Sequence, residues 1–361
     1  MIESQFFPKE YSVKVDKGQV AWKAPSNIAL VKYWGKKENQ IPANPSISFT
    51  LDACNTVTTL EFERRVILDE SFSFDVIFEG QSKDDFKPKI DAFFSRIKDY
   101  VPFISNYHFT IKTSNSFPHS SGIASSASGM SALALCLVSL EQMLVGSDFS
   151  KEEFIKKASF LARLGSGSAC RSIEGSLVVW GEHLAIPGSA DYYGVQYPFE
   201  VHDNFKNFRD TILLVDKGEK QVSSTVGHDL MHNHPFAGER FKQANGNLQK
   251  LIDVFKKGDL NTFIQVVESE ALTLHAMMMT SLPYFILMKP NTLHIINKIW
   301  KLRKESDLHV CFTLDAGANV HVLYPNSEKN AIDEFIENEL VVYCQNGHYI
   351  CDKIGSGAIK I

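Results

Sequence analysis

The order of the predicted secondary structure elements constrains the fold more than any other feature of this sequence. The first third of the chain alternates hydrophobic and polar side chains, which is the period of strands with one buried face. These segments are residues 13–24, 46–51, 58–63 and 72–80. The second half is mostly helical, in residues 240–256, 260–279 and 291–303. Because strands precede helices without a regular strand–helix–strand alternation, the sequence predicts an α+β fold.

The length and composition predict two globular domains. The chain has 361 residues, of which 44% are hydrophobic and 22% charged, so it can bury enough apolar surface to fold. Residues 187–207 mix Pro, Gly and Tyr, and we interpret this stretch as the boundary. The predicted domains are therefore residues 1–205 and 206–361.

The charge balance and the N-terminus exclude several classes of partner. A net charge of −5 gives no basic field for nucleic acid or for an anionic membrane. The N-terminus lacks the charged start and apolar core of a signal peptide, and the most apolar stretch, residues 122–140, begins with Ser and Gly. We therefore expect a soluble, cytoplasmic protein without nucleic-acid or membrane partners.

The cysteines and histidines do not have the spacing of a metal site. The six cysteines are scattered and are expected to be free thiols in a reducing compartment. His228, His232 and His234 fit neither a zinc-protease helix nor a zinc finger, and Pro235 marks a loop. The sequence thus predicts no structural metal, and His275, on a helix, is interpreted as a core histidine.

A segment of small residues between a predicted strand and a predicted helix is the strongest local motif. Residues 117–129 read FPHSSGIASSASG and lead into an apolar helix over residues 130–140. In that context backbone N–H groups and the positive helix end converge on an anion, with serine hydroxyls as further donors. The segment is neither a Walker loop nor a dinucleotide fingerprint. The alternative is the small-residue start of a tightly packed core helix.

Two further segments carry candidate functional groups. Residues 165–172, GSGSACRS, place Arg171 among small residues, where a guanidinium could grip a carboxylate or phosphate with two parallel bonds. Asp315 begins the turn 315–319, DAGAN, at the end of an apolar strand. Without further information, Arg171 could equally be a surface residue and Asp315 a residue that caps its own turn.

Taken together, these motifs resemble the mevalonate diphosphate decarboxylase family of the GHMP kinase superfamily. The most specific strings are APSNIALVKYWGK at residues 24–36 and GSGSACRS at residues 165–172. The resemblance continues, in the right order, over most of the chain. It includes residues 44–48, 122–129, 223–227, 281–283, 315–319 and 354–357.

The resemblance implies a fold, a reaction and cofactors. The fold would be a two-domain GHMP kinase-like fold whose N-terminal half resembles ribosomal protein S5 domain 2, with the active site in the cleft between the halves. The reaction would be ATP-dependent decarboxylation of mevalonate 5-diphosphate to isopentenyl diphosphate, with Mg²⁺ as cofactor. It also implies a homodimer and a small phosphorylated substrate.

Site residues follow from the resemblance position by position. The catalytic residues would be Asp315, Lys32 and Arg171. The substrate would contact Tyr33, Lys36, Ser166, Ser168, Arg171, Ser224, Thr225 and Ala316. The ATP phosphates and Mg²⁺ would lie on Gly122, Ala124, Ser125, Ser126, Ser128 and Gly129. The protein ligands of the metal are not identified by the sequence, and Trp34 is interpreted as packing.

The chain departs from the family pattern at Pro45, at residues 119–121 and at His228, which stands where the family has Met. His228 leaves open a sister enzyme that acts on mevalonate 5-phosphate, or a kinase that phosphorylates the 3-hydroxyl and stops. A non-catalytic homologue is a further alternative, although Asp315 and Arg171 are both retained.

Overall fold

The structure is a computed structural model that describes residues 2–8, 10–67, 69, 71–118, 123–147, 149–217 and 224–361. The side chains of residues 2, 224 and 225 are not described. Of the predicted site residues, Gly122 and the side chains of Ser224 and Thr225 therefore lie outside the described residues, as does His119.

Long strands from the first third of the chain build the larger of two sheets. Its strands are β1 (Lys17–Val31), β2 (Ser46–Arg64), β3 (Ser73–Phe78), β4 (Gln81–Ser82), β5 (Tyr107–Asn115), β6 (Leu177–Trp180), β7 (Val195–Gln196) and the C-terminal β12 (Ile359–Lys360). The order is β12-β1-β2-β5-β3-β4, while β6 pairs with β2 and β7 pairs with β6. Among the described strands of this sheet, β3 and β5 form the one parallel pair.

Three helices cover one face of this sheet: α1 (Lys87–Ile97), α2 (Ser125–Val145) and α3 (Lys151–Gly165). The apolar α2 packs on β1 and β2, and α3 packs on α2. Ser150 and Glu153 form a capping box that begins α3. By length and composition α2 could cross a membrane, but 83% of its apolar window is buried inside the protein. It is the central helix of the first core.

The second half of the chain forms a smaller antiparallel sheet with its own helices. Strands β8 (Arg209–Leu213), β9 (Cys311–Thr313), β10 (Val320–Tyr324) and β11 (Tyr349–Lys353) lie in the order β11-β8-β10-β9. The helices are α4 (Ser224–Asp229), α5 (Ala237–Lys257), α6 (Leu260–Met279), α7 (Pro290–Glu305) and α8 (Lys329–Phe335).

A shared hydrophobic core joins the two halves. Ile28 of β1 and Phe49 of β2 belong to the same buried cluster as Phe255 of α5 and Phe263 of α6. Because helices cover both faces of the larger sheet here, β1 is buried throughout residues 24–31 and its hydrophobic alternation stops.

The predicted α+β fold is confirmed by this architecture. Helix α2 begins at Ser125, before the predicted residue 130, because the small-residue segment forms its first turn. The division into residues 1–205 and 206–361 stays a prediction, since one core contains residues from both sides.

Candidate active site

A cavity of about 440 Å³ collects most of the predicted site residues. Its walls come from the end of β1, from α1, from the first turn of α2, from the loop after α3 and from the second half of the chain. Of the predicted residues, it is lined by Lys32, Tyr33, Lys36, Ala124, Ser126, Ser166, Ser168, Arg171, Asp315 and Ala316. Lys32 and Asp315, which are 283 positions apart in sequence, thus meet in one place.

Lys32 and Asp315 form an ion pair across the two halves of the chain. The Lys32 Nζ donates to Asp315 Oδ1 at 3.0 Å, with the Lys32 side chain 2% and the Asp315 side chain 31% exposed. Burial lowers the pKa of Lys32, whereas Asp315 and Glu270 act to raise it and Arg171 acts to lower it. A buried lysine beside one carboxylate suits stabilisation of a transferring phosphoryl group.

The backbone of Lys32 is held on both sides by a buried pair of charged residues from α5 and α6. The Lys32 N–H donates to Glu270 Oε2 at 2.9 Å, and Arg240 Nη2 donates to the Lys32 carbonyl at 3.2 Å. Arg240 and Glu270 bond each other with fully buried side chains, and Asn247 donates to Glu270 at 2.7 Å. This arrangement, which we call the Arg240–Glu270 clamp, fixes the residue that faces Asp315.

His275 supports the turn that carries Asp315. Its Nε2 donates to the Asp315 carbonyl oxygen at 3.1 Å, and burial lowers its pKa to about 4. The imidazole is therefore neutral, with its proton on Nε2. Its interpretation as a core histidine agrees with its 1% exposure.

Arg171 is a buried cation held by neutral groups. Its Nε donates to Ser48 Oγ at 2.6 Å and its Nη1 donates to Ser46 Oγ at 2.7 Å. The guanidinium lies over the Trp180 ring, 5.6 Å from its centroid, and burial lowers its pKa. Among the residues that the structure describes, no carboxylate forms an ion pair with it. The remaining N–H groups are those of a cavity-lining side chain, so they suit an anionic ligand.

Tyr33 and Lys36 continue the wall that begins at Lys32. The Tyr33 hydroxyl is buried without a hydrogen-bond partner among the described residues, and burial raises its pKa. Lys36 Nζ lies 3.5 Å from Asp229 Oδ1, and the Lys36 side chain is 15% exposed. Both side chains are suited to contact a phosphorylated ligand.

The loop after α3 is made of small residues because larger ones would fill the site. A Cβ at Gly167 would lie 2.9 Å from the Trp180 ring and 3.0 Å from the Tyr33 hydroxyl. Ser166 Oγ lies 3.3 Å from Ser126 Oγ, which links this loop to the start of α2. The Ser168 carbonyl accepts from Asn27 Nδ2 at 3.3 Å.

The start of α2 faces the cavity. Ala124 lies before the helix in the left-handed region, with φ of 45°, and as an alanine it supplies no side-chain cap. The N–H groups at the end of this 21-residue helix therefore suit an anion. The predicted phosphate contact Ser128 does not line this cavity: its side chain is fully buried, and its Oγ lies 2.6 Å from Thr56 Oγ1.

A second, mostly apolar cavity of about 220 Å³ lies on the other side of this first turn. The two cavities share Ser126 and Lys89. Of the predicted residues, the second cavity contains Ser125 and Gly129. Its apolar walls include Val76, Phe78, Phe86, Ile90, Ile111, Met130 and Leu133.

Sequence reasoning missed two cations that line the first cavity and the two hydroxyls that hold Arg171. Lys89 and Arg96 of α1 line its wall, seven residues apart and beside the buried face of that helix. Because residues seven apart lie two turns apart on the same side of a helix, this spacing could have indicated the pair. Ser46 and Ser48, which hold Arg171, lie two apart on β2 and so share one face of the strand.

The described residues contain no group of three His, Cys, Asp or Glu side chains that could hold a metal ion. Mg²⁺ is bound in many phosphoryl-transfer sites by substrate phosphates, one or two protein oxygens and water. The hydroxyls at the start of α2 fit that mode, so the site suits a magnesium ion carried by a nucleotide.

Two family models together match most of the chain. The model of the diphosphomevalonate decarboxylase-like N-terminal domain matches residues 24–190, and that of the mevalonate 5-diphosphate decarboxylase C-terminal domain matches residues 211–354. The diphosphomevalonate decarboxylase of Saccharomyces cerevisiae is 30% identical over 329 residues, covering 87% of this chain and 79% of that protein.

Solved structures are also similar, which confirms the predicted GHMP kinase-like fold. Mevalonate diphosphate decarboxylase from Staphylococcus aureus has a TM-score of 0.80 and 26% identity, covering 96% of this chain and 98% of that one. A complex of MDDEF with MVAPP, AMPPCP and magnesium has a TM-score of 0.79 and 26% identity, covering 95% of this chain and 98% of that one.

Proposed function

The chain belongs to the diphosphomevalonate decarboxylase family, and we propose that it uses ATP to convert mevalonate 5-diphosphate into isopentenyl diphosphate. The other products are ADP, phosphate and carbon dioxide. One solved relative of similar fold, MDDEF, binds MVAPP together with AMPPCP and magnesium, which supports this choice of substrate and nucleotide.

The observation that carries the proposal is the state of Arg171. A buried guanidinium with two seryl partners needs an anion, because a buried charge without a counter-charge is costly. The substrate carboxylate is suited to this fork, since two parallel N–H···O bonds match its geometry. Held there, the carboxylate is fixed relative to the Lys32–Asp315 pair.

In the first half-reaction the 3-hydroxyl of the substrate attacks the terminal phosphorus of ATP. Asp315 either takes the hydroxyl proton or orients the hydroxyl. Lys32 neutralises charge on the transferring group, and the products are ADP and a 3-phosphorylated substrate. The clamp keeps Lys32 in place during this step.

In the second half-reaction the new 3-phosphate leaves with the electron pair of its C–O bond. Positive charge develops at the tertiary carbon, and the bond to the carboxylate then breaks, so its electrons form the alkene and carbon dioxide is released. Lys32 and the start of α2 stabilise the leaving phosphate. Arg171 positions the carboxylate until its bond breaks.

We propose that the nucleotide occupies both sides of the first turn of α2. Its phosphates would lie at Ala124, Ser125 and Ser126, and its base in the apolar second cavity. Magnesium supplies charge neutralisation of the phosphates when bound. The predicted contacts of Gly122, Ser224 and Thr225 stay proposals from the family resemblance.

We also propose, from the same resemblance, that the protein is a cytoplasmic homodimer. Light scattering after size-exclusion chromatography would measure its mass. A mass near 40.6 kDa at all concentrations would contradict the dimer.

One assay tests the function directly. Purified protein, ATP and Mg²⁺ are incubated with mevalonate 5-diphosphate, and in parallel with mevalonate 5-phosphate. We expect ADP, phosphate and carbon dioxide in equal amounts at every time point, with faster turnover of the diphosphate. ADP that accumulates ahead of carbon dioxide would indicate a 3-kinase, and faster turnover of the monophosphate would indicate the sister enzyme.

The variant Asp315→Asn tests the role of the carboxylate. Asn keeps the size of the side chain but loses the charge that faces Lys32. We expect turnover to fall by about 100-fold or more, with nucleotide binding unchanged. Thermal unfolding of the variant controls for folding, and near-normal turnover in a folded variant would remove Asp315 from the mechanism.

A further inference from the structure

His228 is a polar residue of the first cavity to which the mechanism assigns no role. It lies on α4, is 8% exposed and lines the cavity. Its ring packs between two aromatic rings, with centroid distances of 4.1 Å to Tyr33 and 4.7 Å to Trp34. A Cβ at Gly227 would lie 2.6 Å from the Trp34 ring, so the backbone of α4 packs directly on this wall.

The hydrogen bonds of His228 define its protonation state. The Gly35 N–H donates to His228 Nδ1 at 3.0 Å, so Nδ1 is an acceptor and carries no proton. Burial, together with the nearby cations Lys36 and Arg171, lowers the pKa of His228 to about 3. The ring is therefore neutral and its one proton is on Nε2.

This leaves a fixed donor on the cavity wall. Among the described residues Nε2 has no hydrogen-bond partner, and the ring cannot turn without losing the Gly35 bond and the packing against Tyr33 and Trp34. The donor is neutral, and the nearest positive charges are those of Lys36 and Arg171. Of these two cations, Lys36 lowers the pKa of His228 more. Such a group suits an anionic ligand atom.

We propose that His228 is a specificity-determining residue whose Nε2–H donates to the 5-phosphoryl end of the substrate, beside Lys36. This inference rests on the proposed function. The reacting end of the substrate lies at Lys32 and Asp315 and its carboxylate at Arg171, so the group left for Lys36, Tyr33 and His228 is the phosphorylated end. A rigid donor adds selectivity for phosphoryl oxygens because an unmade bond in this buried wall is costly.

Three substitutions of His228 test the roles of Nδ1 and Nε2 separately. His228→Gln places an amide N–H near the position of Nε2, whereas His228→Asn keeps only an acceptor near Nδ1 for the Gly35 N–H. His228→Met has neither group but fills a similar volume. The exposed neighbour His232 gives a matched control, His232→Met.

We expect His228→Met and His228→Asn to raise KM for mevalonate 5-diphosphate by about tenfold, with a much smaller fall in kcat. KM for ATP should stay within about twofold, and His228→Gln should keep most of the affinity that the other two variants lose. Unchanged substrate KM in folded His228→Met and His228→Asn would overturn the inference, as would a rise in KM for ATP alone. An inactive wild-type protein would instead overturn the proposed function.

Nitrogen NMR of histidine-labelled protein gives a test that does not depend on turnover. The His228 resonances, assigned by their loss in His228→Gln, should show the neutral Nε2–H tautomer in the free protein. Addition of mevalonate 5-diphosphate should shift the Nε2 resonance more than the Nδ1 resonance. A protonated Nδ1, or no response of Nε2 to the substrate, would contradict the proposal.

Discussion

Arg171 donates to serine hydroxyls, and the neutrality of these partners determines how strongly it can bind an anion. A carboxylate partner would satisfy the guanidinium and weaken its attraction for the substrate. Ser46 and Ser48 instead fix the direction of Nε and Nη1 without neutralising the charge. The two serines therefore orient the Arg171 guanidinium while its positive charge stays available to the substrate.

Replacing Arg171 by Lys tests whether orientation or charge dominates. The ammonium keeps the charge but cannot bond both serines and also present a planar fork. We expect kcat/KM for the substrate to fall by about 100-fold, because a small displacement of the carboxylate misaligns the reacting bonds. KM for ATP should hardly change, and if it rose while substrate affinity held, Arg171 would be assigned to the nucleotide.

The variant Ser48→Ala serves as a graded comparison for that experiment. It keeps the guanidinium but removes the acceptor of Nε. A loss of about tenfold, smaller than that of Arg171→Lys, is expected because one of two supporting bonds remains.

At the residue scale, local strings predicted the groups around the first cavity. Lys32, Arg171 and Asp315 lie in segments of specific composition, and the structure brings them to one wall. Arg240 and Glu270 could not be predicted in the same way, since each lies in an ordinary amphipathic helix. Their contacts with Lys32 join positions 208 and 238 residues apart, which no local pattern encodes.

At the scale of elements, the bounds of a helix were predicted accurately where capping residues and a continuous apolar pattern mark its ends. Helix α6 has the predicted bounds, Leu260–Met279, because Asp259 caps it and its apolar pattern is continuous. Helix α2 was predicted too short, because the small residues of its first turn lack a hydrophobic period. The same absence of large side chains makes that turn available to a ligand.

The Arg240–Glu270 clamp links two helices to the end of a strand, so its loss should affect both stability and chemistry. In Glu270→Gln, Arg240 is left buried without its counter-charge, and we expect a loss of about 3–5 kcal/mol in the free energy of unfolding. Glu270 also acts to raise the pKa of Lys32, so the variant should lower that pKa further. Lys32 then loses its proton at lower pH, and the alkaline decline in kcat should begin at lower pH.

Glu268→Gln is the matched control for this prediction. Glu268 lies on the same helix and pairs with Arg303, which donates from Nη2 at 3.0 Å, but it makes no contact with Lys32 in the described structure. It should lower stability without moving the alkaline decline. An identical shift in both variants would show that the clamp has no specific effect on Lys32.

At the scale of the whole molecule, the two halves share both a core and a reaction centre. Phe49 lies against Phe255 and Phe263, at ring distances of 6.3 Å, and the Lys32–Asp315 pair joins the halves at the cavity. Asp352 of β11 adds a third link, because its carboxylate accepts from the backbone N–H groups of residues 52, 53 and 54 at 2.7–2.9 Å.

This shared core predicts that the halves do not fold separately. A fragment of residues 1–205 would expose Ile28 and Phe49, which the intact chain buries against α5 and α6. We expect this fragment to aggregate and the full chain to unfold in one calorimetric transition. A monomeric fragment with its own cooperative transition would support independent domains with the predicted boundary.

The two cavities are close enough for one inhibitor to occupy both. The first turn of α2 separates them, and Ser126 and Lys89 line both. A single compound that joins an apolar ring system to a phosphorylated acid through a short anionic linker could fill both cavities at once. Because its two parts would be tethered, its inhibition constant should be far below that of either part alone. Enzymes that bind ATP but lack the first, anion-binding cavity would retain only the affinity of the ring system and its linker, so selectivity would come from the phosphorylated acid.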